Sequence, residues 1–129
     1  MELIDRQRFM DMVNGDREFA IVARYWNAIL RFDAGGDKCL VTITEGKVTD
    51  IDPDPDMMED WNFDFFITAP DDEWEQLLDP APRPFYQALL PAVMLHGFDH
   101  GGDFEMFCAY YRAFSRMIEI MRLCRPAAS

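Results

Sequence analysis

The stretch Phe63–Leu78, FDFFITAPDDEWEQLL, changes its period halfway along. Up to Ile67 the residues alternate as in a strand. From Asp71 onward the apolar residues Trp74, Leu77 and Leu78 recur at helical spacings of three and four. The reading predicts a strand over 63–68 passing directly into an amphipathic helix, with Pro70 at the joint. Thr68 lies three residues ahead of Asp71, the spacing of a reciprocal helix cap, and Pro70 sits where no N–H is needed. Asp72, Glu73 and Glu75 complement the positive end of the helix dipole. The acids at the joint therefore have a structural reading before any functional one.

Working outward, KCLVTITEGKVTDID is a hairpin pattern. Two runs rich in β-branched residues flank Glu45-Gly46, where glycine supplies the positive φ of a tight turn. Upstream, Glu2 to Asn14 reads as a first helix ended by Asn14-Gly15. Residues 17–32 read in two ways. Trp26, Ala28, Leu30 and Phe32 alternate against Asn27 and Arg31 as in a strand, yet Ala, Arg and Leu also favour a helix over 17–30. Downstream, PDPDMMEDWN and DPAPRP are loops, and FYQALLPAVMLHG is a helix kinked at Pro91. Asp103 caps a last long helix, predicted from Phe104 to about Leu123. Its apolar arc, with Phe104, Phe107, Tyr111, Phe114, Ile118 and Met121 flanked by Met106, Tyr110, Met117 and Ile120, is wider than an ordinary surface stripe. Such a helix is buried on two sides, covers a cavity, or meets another subunit.

The chain has 129 residues, enough for a single domain spanning 1–129 with an N-terminal helix (1–14), main strands (19–68) and a helical cover (69–129). Its 11 Phe and 9 Met suit either a densely packed core or a pocket for an apolar molecule. The net charge of −12 argues against nucleic acid and anionic membrane surfaces as partners. Between Val48 and Pro82 there are 12 acids and no Lys or Arg, the pattern of a solvated face. Cys39, Cys108 and Cys124 are odd in number and share no CxxC spacing, and the first two sit inside apolar runs, which predicts buried free thiols rather than disulfides or metal ligands. The charged N-terminus and the short apolar runs predict a soluble cytoplasmic protein with no stable membrane insertion.

Candidate chemistry is sparse. His96, Asp99, His100 and Asp103 form the best acid–base or metal set, but three glycines interrupt the helix that would align the histidines. The run Asp50, Asp52, Asp54, Asp56 lacks the Gly and Glu of a calcium loop. No phosphate-binding or nucleophile motif occurs. The reading is of a protein that is not an enzyme and carries no cofactor.

The segments AILRFD…VTITEGKVT, FITAPDDEWEQLL and MLHGFDHGGDFEMFCAYYRAF, in that order, resemble the sterol carrier protein type 2 family from about Phe19 to Arg122. The resemblance implies an α+β fold: a mixed, mostly antiparallel sheet of about five strands, with helices over one face and a hydrophobic tunnel between. It further implies a ligand such as a sterol, fatty acyl chain or acyl-CoA, and no catalytic residues. The run FDHG, Phe98–Gly101, is shorter and more polar than the family's last strand and leaves the fifth strand open. The tunnel lining expected is Trp26, Leu30, Phe63, Phe65, Trp74, Leu78, Met94, Phe107, Tyr111, Phe114 and Met117. The rival expectation is a self-filled core whose wide C-terminal helix serves as a homodimer seam or docks on a lipid- or steroid-metabolising enzyme.

Overall fold

The computed structural model describes residues 4–35, 37–53, 63–79 and 98–125. The described elements are α1 (Arg6–Asn14), α2 (Arg17–Val22), β1 (Ala28–Ala34), β2 (Asp37–Thr44), β3 (Lys47–Asp52), β4 (Phe65–Ala69), α3 (Asp71–Leu77), β5 (Asp99–Gly102), α4 (Phe104–Ala109) and α5 (Tyr111–Leu123). The five strands form one sheet in the order β3-β2-β1-β4-β5. Only β1 and β4 pair in parallel; the other three pairings are antiparallel. This is the expected α+β architecture.

The β2–β3 hairpin turns at Glu45 (φ 50°) and Gly46 (φ 76°). Two successive positive φ values match the twist of the flanking strands. A side chain at Gly46 would bring a Cβ to 2.8 Å from the Ala23 carbonyl oxygen, so this turn also packs against the end of α2. Asn27 stitches the same corner, its Oδ1 accepting from the Glu45 N–H at 2.9 Å. Residues 17–32 resolve as helix, turn, then strand. Asp16 caps α2 by accepting from the Phe19 N–H at 2.8 Å, which starts the helix, and Tyr25 (φ 67°) breaks out of it.

The sheet edge at β3 is pinned by α1. The Asn14 side chain donates to the Val48 carbonyl at 2.9 Å and accepts from the Val48 N–H at 2.8 Å. It thus mimics a neighbouring strand at the point where β2–β3 pairing shifts register.

Four local expectations change. The first helix starts at Arg6 rather than Glu2, because Asp5 accepts from the Arg8 N–H at 3.1 Å and sets the start there. Thr68 is no helix cap: it is held in the sheet between Asp33 of β1 and Asp99 of β5. The strand runs on to Ala69, and Pro70 takes the cap position without a side-chain bond, leaving Asp71, Asp72 and Glu73 to stabilise the helix start through its dipole. The long last helix is two helices, α4 and α5, broken at Tyr110 (φ −110°, ψ 22°), whose ring lies flat on Trp26 at 4.9 Å. Cys108, expected to be buried, is exposed, since α4 turns only Phe107 fully inward; Cys39 is half-buried and Cys124 buried.

The fifth strand left open by the sequence does form. In β5, His100 pairs with Ile67 and Gly102 with Phe65. A Cβ at Gly102 (φ +107°) would lie 2.3 Å from the Asp64 carbonyl oxygen, so the polar, glycine-rich run is what permits so close an approach to β4.

The wide apolar arc of α5 is accounted for inside the chain. It buries Ala113, Phe114, Met117, Ile118, Ile120 and Met121, packing against α1 and α2 and meeting β4 through Phe114 and Phe65. Arg116 locks α5 to the cap of α2, donating to both carboxylate oxygens of Asp16 at 2.8 and 2.9 Å. The kinked helix expected around Pro91, with Met94 and His96, lies outside the described residues, as do Asp54 and Asp56.

Candidate functional site

A cavity of about 240 Å³ lies between the helix-covered face of β1–β3 and helices α1, α3 and α5. Alternation builds its floor: Phe32 and Ala34 of β1, and Cys39 and Val41 of β2, stand two residues apart and so share one face. Phe32 and Cys39 are direct register partners. Ile51 of β3 and Pro53 just beyond it extend the floor to the sheet edge. The roof comes from Arg6 and Phe9 of α1, Trp74 of α3 with Leu78 following it, and Met121 of α5. Ile4, ahead of α1, also lines the cavity.

Trp74 is held in place by a hydrogen bond and by ring contacts, among them Phe98 edge-on at 5.1 Å. Its Nε1–H donates to the Asp33 carbonyl oxygen at 2.7 Å, and its ring meets Phe32 edge-on at 6.0 Å. Two lining residues, Arg6 and Lys38, are cationic, and the Lys38 side chain alternates away from those of Cys39 and Val41 to meet Asp33. Lys38 Nζ lies 3.3 Å from Asp33 Oδ2, and Arg31 reaches the same oxygen at 3.1 Å. Asp33 is only 3% exposed, so two cations compensate a carboxylate removed from water.

The residues expected to line a tunnel divide. Trp74 and Leu78 line this cavity. Trp26, Leu30, Phe65, Phe107, Phe114 and Met117 are buried in the core. Their rings pack on one another: Phe65 stacks on Phe107 at 4.7 Å, and Phe114 meets Phe107 at 4.9 Å and Trp26 at 5.2 Å. Tyr111 is half-buried, edge-on to Phe107 at 5.6 Å. Phe63 is half-buried, with the Arg31 guanidinium 4.5 Å over its ring. Sequence reasoning missed Arg6, Phe9, Lys38, Cys39 and Ile51. Phe32 was visible in the alternation of residues 28–32, but nothing local shows that α1 folds back over β3.

Among the described residues, the acid–base candidates Asp99, His100 and Asp103 do not form a common site. Asp103 accepts from the Met106 N–H at 3.0 Å as the cap of α4, and Asp99 accepts from the His100 N–H at 2.9 Å. The His100 ring stacks against Phe65, Phe104 and Phe107 at 5.5–6.2 Å. Among the described residues no three His, Cys, Asp or Glu side chains are grouped to hold a metal, and no helix is long and apolar enough to cross a membrane.

The fold has counterparts among solved structures. Sterol carrier protein 2 superposes with a TM-score of 0.73 at 16% identity, covering 92% of this chain and 93% of that one. A conserved hypothetical protein of Thermus thermophilus, described as a candidate sterol carrier protein, gives 0.74 at 16% identity, covering 100% and 94%. A UbiJ-SCP2 ubiquinone synthesis protein gives 0.59 at 13%, covering 88% of each. No family model matches the sequence, and no curated protein matches it. The chain has the sterol carrier protein 2 fold.

Proposed function

We propose that this protein binds a hydrophobic small molecule in the cavity between sheet and helices, as a carrier or binding domain that performs no reaction of its own. The observation that carries this reading is the cavity itself: about 240 Å³ walled largely by Phe9, Phe32, Val41, Ile51, Trp74 and Leu78, in a domain otherwise dense with buried rings. Apolar pockets with few polar groups are the usual form of small-molecule sites. The fold is shared with structures named for sterol carriage, which supports the same class of ligand. Transfer from water contributes about 0.8 kcal/mol per buried CH₂, so a modest apolar body gives micromolar affinity once ordering costs are subtracted.

Native mass spectrometry of freshly purified protein, followed by organic extraction, tests this. A stoichiometric lipid or other apolar adduct supports it. A clean apo mass, with no uptake of fluorescent acyl probes afterwards, overturns it.

The ring cluster of Trp26, Phe65, Phe107 and Phe114 favours a second reading, in which the chain fills its own interior and works as an interaction module. That module would dimerise or dock on a lipid- or steroid-metabolising enzyme. Leu123, 57% exposed, is the one mostly exposed large apolar side chain of α5, so an apolar seam along this helix has little support. Light scattering at high concentration decides the dimer version: a monomer removes it.

A further inference from the structure

We infer that the outer edge of β5 is a docking site for an extended basic segment of a partner protein, which adds to the sheet as a further strand. This edge is no part of the cavity wall, so the surface works whatever the cavity holds.

The two edges of the sheet are finished differently. At β3 the Asn14 amide bonds both backbone groups of Val48 and takes the place of a neighbouring strand. At β5 no backbone group of the described residues bonds the outer side. The ladder shows which groups face outward. The Asp103 N–H donates to the Asp64 carbonyl oxygen at 2.8 Å, and bonded pairs alternate along antiparallel strands. Asp99 and Gly101 therefore bond β4, and the backbone groups of His100 and Gly102 point away from it. The His100 N–H fits this phase, since it donates to the Asp99 carboxylate at 2.9 Å. Both carbonyl oxygens and the Gly102 N–H are left for an incoming strand.

Charge selects the occupant. From Phe98 to Tyr111 the chain carries Asp99, Asp103 and Glu105 and no Lys or Arg. All three acids are exposed, and none pairs with a cation among the described residues. Beside them the Phe104 ring is 50% exposed and stacks on His100 at 5.5 Å, which offers an aromatic face to a Lys or Arg side chain. Two copies of this edge would set acids against acids, which opposes self-pairing. A strand bearing Lys or Arg is complementary to it.

Fluorescence anisotropy of the full chain with three labelled heptapeptides tests this: alternating Lys-Val, alternating Glu-Val, and the Lys-Val peptide N-methylated throughout. The Lys-Val peptide binds about tenfold tighter than its N-methylated form, roughly the worth of a backbone bond or two. The Glu-Val peptide does not bind, added salt weakens the Lys-Val complex, and the amide resonances of Asp99–Gly102 shift while those of β3 stay put. The double variant Phe104→Ser/Glu105→Lys, altered only at exposed positions, weakens Lys-Val binding about tenfold. Equal binding of the N-methylated peptide, or shifts centred on Asp71, Asp72 and Glu73, reduces the effect to diffuse charge attraction and overturns strand addition. Binding of Glu-Val as well overturns the charge assignment, and a dimer whose contact maps to β5 overturns the choice of occupant. No binding of Lys-Val overturns the whole inference and leaves the cavity reading untouched. Should the double variant not fold, the N-methylation comparison and the resonance shifts of the native protein decide.

Discussion

The indole N–H of Trp74 donates to the carbonyl oxygen of Asp33 at 2.7 Å, joining the first turns of α3 to the end of β1. This bond ties α3 to the end of β1 just after the chain leaves β4, and Trp74 and Leu78 stand in the cavity wall. Trp74→Phe keeps the ring but removes the donor. The expected loss is about 1–2 kcal/mol in urea unfolding, from the missing bond and the small void. A loss near zero would show that the bond does not hold α3.

Ring cluster and cavity should separate experimentally. Phe114→Leu removes edge contacts with Phe65 and Phe107, at a residue that is not part of the cavity lining. It lowers stability by about 1–2 kcal/mol while ligand affinity stays within twofold, roughly the error of the comparison. Val41→Phe, by contrast, projects into the cavity and weakens ligand binding about tenfold or more, with a smaller effect on stability. The reverse pattern would put the ligand among the rings.

Gly102→Ala challenges the fifth strand. Its positive φ and the 2.3 Å approach to the Asp64 carbonyl admit no side chain without backbone movement. We expect a cost of about 1–3 kcal/mol, with hydrogen exchange faster in β5 and β4 than in β2 and β3. Uniform exchange across the sheet would mean that β5 is not separately vulnerable.

The Asp16–Arg116 pair gives a pH signature. The hydrogen bond from Arg116 holds the Asp16 carboxyl below its usual value of 3.8 and raises the guanidinium. Because the folded-state pKa is the lower one, the stabilisation is fully present above the unfolded value and is lost as pH falls from about 4 through the folded pKa. Asp16→Asn keeps a capping oxygen but loses the charge. It should cost about 1 kcal/mol at pH 7 and converge with the native protein at acid pH. Equal stability at all pH values would show that the pair contributes nothing.

The three thiols should label in order. Exposed Cys108 reacts with iodoacetamide first, while burial pushes the Cys124 thiol above its usual pKa and leaves it inert. Cys39 forms part of the cavity wall, so ligand should slow its alkylation and leave Cys108 untouched. Mass spectrometry after timed quenching reads all three.

Much of the fold is legible in short stretches of this chain, because period, turn chemistry and capping act over a few residues. Glu45-Gly46 announces its hairpin through the backbone freedom of glycine, and Asp103 announces α4 through one side-chain bond. The change of period at Pro70 marks the passage from β4 to α3. Other features depend on partners distant in sequence. Asp99–Gly102 has no strand propensity of its own and becomes a strand because β4 offers it a ladder. Thr68, a plausible cap in isolation, is claimed by the same sheet. Tyr110 interrupts the last helix where its ring meets Trp26, a contact spanning more than half the chain. The cavity is the extreme case, since its wall runs from Ile4 to Met121 through six elements. Periodicity shows which face of each element is apolar. Only the docking of those faces decides which side chains fill the core, and which leave a space that another molecule can occupy.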